Sequence, residues 1–128
     1  MENRIDLKIR STKSDYRPAL VPYLTVGYPN IERSADIAIK VLESGADMLE
    51  LGVPFSDPIA DGPTIQKTSF KALENGVNLS ICMDVLTKIR EIDDSSPIIF
   101  MGYFNPFLQY GLEAFLSEAS KRGLDGLI

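Results

Sequence analysis

Short apolar runs alternate with longer amphipathic stretches along the whole sequence, and this alternation leaves few folds open. The first run, residues 19–26, contains Leu20, Val21, Leu24 and Val26 and is stopped by Gly27-Tyr28-Pro29-Asn30. Its length and its punctuation predict a buried strand. Residues 32–44 then place Ala35, Ala38 and Leu42, with Ile31 just before them, at helical spacing, while Glu32, Asp36, Lys40 and Glu43 fall on another face. Residues 48–53 predict a second strand, and residues 54–63 a loop too rich in Pro, Asp and Gly for regular structure. Helices are predicted over 64–74 and 79–92, a third strand over 98–102, and a helix over 112–122 with Leu112, Phe115, Leu116 and Ala119 in one stripe. Asn105-Pro106 reads as a turn, and Gly126-Leu127-Ile128 as the opening of a fourth strand.

The resulting order is β-α-β-α-α-β-α-β. Strands that are apolar throughout and separated by helices predict a parallel sheet with helices packed outside it. Order alone leaves both a barrel and a doubly wound sheet. No GxGxxG follows the first strand, which weighs against dinucleotide binding. A complete eight-stranded barrel takes about 250 residues; these 128 residues would supply three βα units and the start of a fourth strand. No linker divides them, so residues 1–128 are expected to lie within one domain.

Composition narrows the chemistry. The formal net charge is −5 and the 13 Lys and Arg are scattered, which speaks against nucleic acid as a partner. No apolar run reaches the roughly 20 residues of a membrane-spanning helix, and residues 1–13 are charged and lack the apolar core of a signal peptide. A cytoplasmic or plastid-stromal location is the expectation. There is no histidine and one cysteine, Cys82, which falls on a packed helix face. Zinc sites of the Cys/His kind and His-based acid–base chemistry are therefore excluded, and carboxylates, tyrosines or lysines must do any proton transfer.

Three groups of residues are candidates. On the second strand, Met48, Glu50 and Gly52 share one face and Leu49, Leu51 and Val53 the other. If helices cover the leucines, Glu50 points to the opposite side, near the C-terminal end of a strand, where barrel enzymes keep catalytic groups; a structural salt bridge is the competing reading. In the following loop, Pro54, Pro58 and Pro63 stiffen the backbone around Asp57 and Asp61. That suits a lid or active-site loop, although Ser-Asp-Pro and Ala-Asp-Gly are also ordinary turn formers. Tyr23, Met101 and Tyr103, at the ends of the first and third strands, could line a flat apolar pocket or belong to the core. No P-loop or Gly-rich phosphate cradle is present.

The segment 49–64, LELGVPFSDPIADGPT, closely resembles the signature of the tryptophan synthase alpha subunit family. Two further blocks, PYLTVGYP at 22–29 and MGYFNP at 101–106, resemble that family in order and spacing. The resemblance implies a (β/α)8 TIM barrel of which this chain is the N-terminal half, and a retro-aldol cleavage of indole-3-glycerol phosphate to indole and glyceraldehyde-3-phosphate. It implies that Glu50 is the general acid–base group, protonating indole C3, and that Asp61 binds the indole N–H and stabilises positive charge on the ring. Tyr23, Met101 and Tyr103 match positions near the family's indole pocket. Pro54, Asp57 and Asn105 match loops that face the beta subunit, which uses pyridoxal phosphate in an alpha2beta2 assembly. For the alpha chain itself the resemblance implies no cofactor and no metal.

The same resemblance puts the family's phosphate-binding loops, and a tyrosine close to the catalytic pair, in the second half of the barrel. The expectation is that this chain alone has negligible lyase activity. Two other readings compete: a non-catalytic half-barrel interaction module, and a lyase that releases indole without a beta partner.

Overall fold

The structure is a computed structural model and describes residues 3–128; Met1 and Glu2, at the head of the charged N-terminal stretch, lie outside them. Its core is a sheet of four parallel strands in sequence order, β1 (Tyr23–Thr25), β2 (Leu49–Gly52), β3 (Ile98–Met101) and β4 (Gly126–Leu127). The helices are α1 (Arg4–Ser14), α2 (Ile31–Glu43), α3 (Pro63–Glu74), α4 (Leu79–Arg90), α5 (Phe104–Tyr110) and α6 (Leu112–Lys121).

The expected elements are present, with two additions. α1 has thin apolar content: Leu7 and Ile9 are exposed and Thr12 is its buried residue, so no stripe marks it in the sequence. Its start is set by Asn3, whose side chain accepts the Asp6 N–H at 2.9 Å. α5 occupies the Asn105-Pro106 position read as a turn, a correction to that reading. Pro106 falls in the helix's first turn, where its missing N–H has no helical partner to lose. Likewise α3 begins at Pro63 itself, with Gly62 before it as N-cap.

β1 is shorter than the run 19–26, because only three residues pair as a regular ladder. The backbone on either side still bonds to the second strand's segment: Glu50 N–H donates to Pro22 O at 2.9 Å and Val26 N–H to Gly52 O at 3.0 Å. Alternation along β2 holds as expected. Leu49, Leu51 and Val53 are buried with Ile98 and Phe100 against residues of α2 and α4, including Ala38, Leu42, Cys82, Leu86 and Ile89. Truncating any of the large members to Ala costs about 2–5 kcal/mol.

Two carboxylates brace the N-terminal end of the sheet. Asp47, just before β2, accepts from Arg17 Nη1 and Nη2 at 2.7 and 2.8 Å and from the Leu20 N–H at 2.8 Å. Asp125, just before β4, pairs with Arg90 at 2.6 Å and Arg4 at 3.0 Å and accepts the Ile98 N–H at 2.8 Å. These buried charges are fully partnered, which is the condition for burying them without a large penalty. The opposite, C-terminal end carries the loops and the candidate site.

Candidate active site

Strand register decides which side chains share the face opposite α2 and α4. Tyr23 stands beside Glu50 and Glu50 beside Ile99; one step toward the C-terminal end, Thr25 stands beside Gly52 and Gly52 beside Met101. Residues in register point the same way, so Tyr23, Thr25, Glu50, Gly52 and Met101 form two adjacent rows on this inner face. Glu50 is partly exposed there, and among the described residues it has no ion-pair partner. Among the described residues, Glu50 therefore makes no structural salt bridge.

Gly52 leaves the space the Tyr23 ring fills. A Cβ at Gly52 would overlap the phenol oxygen and two ring carbons. The phenol oxygen lies 3.5 Å from Thr25 Oγ1, which contacts Thr68 Oγ1 of α3 at 2.7 Å. Burial is the main cause pushing the Tyr23 phenol above the ordinary tyrosine value; its hydrogen bond with Thr25 opposes this, and the negative charges of Asp61 and Glu50 add to it. Tyr23 therefore stays protonated at neutral pH, beside both carboxylates.

A cavity of about 210 Å³ opens at this end, lined by Tyr23, Val53, Asp61, Met101, Tyr103 and Ile128 among others. The structure thus brings together four of the five expected catalytic and pocket residues around one space. Glu50 does not line it, standing on the row next to Gly52 toward the strand's start. The loop 54–63 is tied rather than free. Tyr103 Oη accepts the Ala60 N–H at 2.8 Å, its ring stacks on Phe55 at 5.2 Å between centroids, and Ser69 Oγ accepts the Phe55 N–H at 3.3 Å. Asp61 N–H donates to Pro58 O at 3.1 Å, so turn chemistry is also at work there.

Pro54, Asp57 and Asn105 gather on a separate groove of about 600 Å³ at the same end, with Phe55, Pro106 and Tyr110. Asp57 is exposed and accepts the Ser56 hydroxyl at 2.7 Å. Sequence reasoning missed Thr25, Thr68 and Gln66, the last of which holds the Asp61 turn (Gln66 Nε2 to Asp61 O, 2.9 Å). Single polar residues on a strand or helix carry no periodic signal, so only the tertiary contacts reveal them.

A parallel sheet in sequence order, with helices between its strands and carboxylates and aromatics at their C-terminal ends, is the arrangement of part of a (β/α) barrel. Residues 9–128 match the family model described as tryptophan synthase alpha chain, and the chain belongs to that family. The tryptophan synthase alpha chain of Clostridium acetobutylicum is 42% identical over 128 residues, 100% of this chain and 48% of that one. That of a Roseiflexus species is 49% identical over 112 residues, covering 88% and 43%. Among solved structures, tryptophan synthase subunit alpha from Legionella pneumophila superposes with a TM-score of 0.97 at 38% identity, covering 99% of this chain and 48% of that one. Tryptophan synthase from M. tuberculosis, in an open form with BRD0059 bound, superposes with a TM-score of 0.92 at 35% identity, covering 99% and 50%. These solved relatives are TIM barrels, and the chain spans about half the length of the relatives it matches.

Proposed function

We propose that this chain is the N-terminal half of one TIM-barrel domain and supplies the two carboxylates of an indole-3-glycerol phosphate lyase in tryptophan biosynthesis, acting in the cytoplasm or plastid stroma. The observation that carries the reading is the convergence of Asp61, Tyr23, Met101 and Tyr103 on one cavity, with Glu50 on the adjoining inner row. Cleavage needs a proton delivered to indole C3 and a negative group at the ring nitrogen. Glu50 delivers the proton, making C3 tetrahedral and placing positive charge on N1, where the Asp61 carboxylate accepts the N–H. The Glu50 carboxylate then takes the proton of the side chain's adjacent hydroxyl. That oxygen becomes the aldehyde carbonyl, the carbon–carbon bond breaks, and its electron pair restores the indole ring. Protons balance, and Glu50 ends as it began.

The substrate's phosphate requires groups beyond these residues. The chain alone is therefore expected to release no indole above background, and activity is expected once the C-terminal half of an alpha chain is supplied. In that complete barrel, Glu50→Gln abolishes indole release and Asp61→Asn lowers it by about 10²–10³-fold. Unchanged turnover in Glu50→Gln would favour the interaction-module reading instead.

The groove holding Pro54, Asp57 and Asn105 is the proposed face for a beta subunit, in an alpha2beta2 assembly. Stimulation of indole formation by added beta subunit supports this. Full activity without any stimulation would point to a beta-independent lyase.

A further inference from the structure

The segment around Asp61 has lost much of its capacity to hold itself. Pro54, Pro58 and Pro63 supply no backbone donors, and residues 54–62 make neither helix nor strand. Its remaining backbone bonds are local: Asp61 N–H to Pro58 O at 3.1 Å and Ile59 N–H to Asp57 O at 2.8 Å. Side chains close on the turn 58–61 from two sides. From the β3 side, Tyr103 takes the Ala60 N–H. From the α3 side, Gln66 Nε2 donates to Asp61 O at 2.9 Å and reaches Pro58 O at 3.4 Å.

The Gln66 contact has only one workable polarity. Both facing atoms are carbonyl oxygens, so the amide must present its NH2 and not its oxygen. Gln66 is also fixed from behind, because its own backbone N–H bonds to Gly62 O at 3.0 Å in the first turn of α3. The side chain therefore folds back from the helix that follows Asp61 and cross-links the two ends of the turn that precedes it.

We infer that Gln66 is a positioning residue for Asp61: its amide joins the Pro58 and Asp61 carbonyls and holds the turn that sets the Asp61 carboxylate at the cavity wall. The catalytic consequence rests on the reading of Asp61 given above. Misplacing a catalytic group by about 1 Å costs about 100-fold in rate, so the expected effect is large.

The test uses the complete barrel, with this chain joined to the C-terminal half of an alpha chain. Gln66→Leu keeps bulk and removes the donor; kcat falls by about 10–100-fold with KM changing less. Gln66→Glu puts a carboxylate against two carbonyl oxygens and is similarly impaired at neutral pH. It recovers as pH falls toward about 4.3, where a free glutamate protonates and regains a donor. A purely structural role would not produce that acid rescue relative to the parent. Amide hydrogen exchange at Ala60 and Asp61 gives a second readout, expected to speed up about tenfold or more in Gln66→Leu with β2 and β3 unchanged. If exchange responds but the parent barrel cleaves no indole-3-glycerol phosphate, the clamp stands and the lyase reading falls. If the parent is active and kcat is untouched by either variant, the positioning role is overturned, whatever exchange does. Should Gln66→Leu fail to fold, the pH rescue of Gln66→Glu decides alone.

Discussion

Gly52 and Tyr23 share one volume: the phenol ring of Tyr23, on β1, occupies the place where any side chain at position 52 of β2 would begin. A Cβ there meets Tyr23 Cε2 at 2.8 Å, and meets the ring's outer end closer still. Gly52→Ala is expected to displace Tyr23, distort the cavity wall and cost about 1–3 kcal/mol of stability. Tyr23→Phe does not relieve this, because ring carbons clash as well as the oxygen. Tyr23→Ala does relieve it, so the double variant should be more stable than the sum of the singles implies. Additivity in a denaturation cycle would show that the two residues do not compete.

Acid should loosen the N-terminal end of the sheet before the core. The Arg17 guanidinium, together with the Leu20 N–H, holds the Asp47 carboxyl well below the usual carboxylate range. For Asp93, burial acts to raise the value, but hydrogen bonds from Ser96 and Ser95 prevail and hold it at about 2. A carboxyl depressed in the folded state stabilises fully above its unfolded value of about 3.9, and the contribution is lost as pH falls toward the folded value. Between about pH 5 and pH 2 the parent should lose stability more steeply than Asp47→Asn or Asp93→Asn, as read from urea midpoints. Parallel losses in parent and variants would remove these two groups from the account.

Much of this was legible in the sequence because it depends on period and punctuation. Leu49, Glu50, Leu51 and Gly52 alternate, and alternation alone put Glu50 opposite the helices before any neighbour was known. The stripe of α6 was readable in the same way, whereas the pattern starts α3 at residue 64, because Pro63 reads as part of the loop. α1 was not readable, because its anchors, among them the Asn3 cap and the Arg4–Asp125 pair, leave no apolar stripe in the sequence. α5 was hidden by a proline whose meaning depends on which turn of a helix it enters. At the site, strand position singles out Glu50, while Asp61 and Tyr23 stay open to turn and core readings until the family resemblance gives them roles. The parts that fix them, Gln66, Thr68 and the tethering hydroxyl of Tyr103, act through contacts that local pattern does not encode.

The Thr25–Thr68 contact, at 2.7 Å, ties α3 to β1. Thr68→Val keeps the shape and removes the hydroxyl, leaving Thr25 without its close partner. A loss of about 1 kcal/mol is expected, with little effect from Thr68→Ser, which restores the oxygen. Destabilisation by Ser but not by Val would assign the role to the methyl group's packing rather than to the hydrogen bond.

Cys82 should behave as core and not as a reagent. It is fully buried on α4, and burial pushes its thiol well above the ordinary cysteine value. In the folded 128-residue chain, a thiol-specific colorimetric reagent should react only as fast as the protein opens, and at once in denaturant. Immediate stoichiometric reaction without denaturant would show that the helical layer of the half-barrel has not closed over β2 and β3.

Strand order follows chain order, so each strand bonds only to the one made just before it and the one made just after. Among these four strands, no pairing joins segments that are not neighbours in chain order. On the ribosome, β2 can lie down on β1 as soon as it clears the exit, then β3 on β2 and β4 on β3. Each newly laid strand leaves behind it a fresh parallel edge on which the next of these strands pairs.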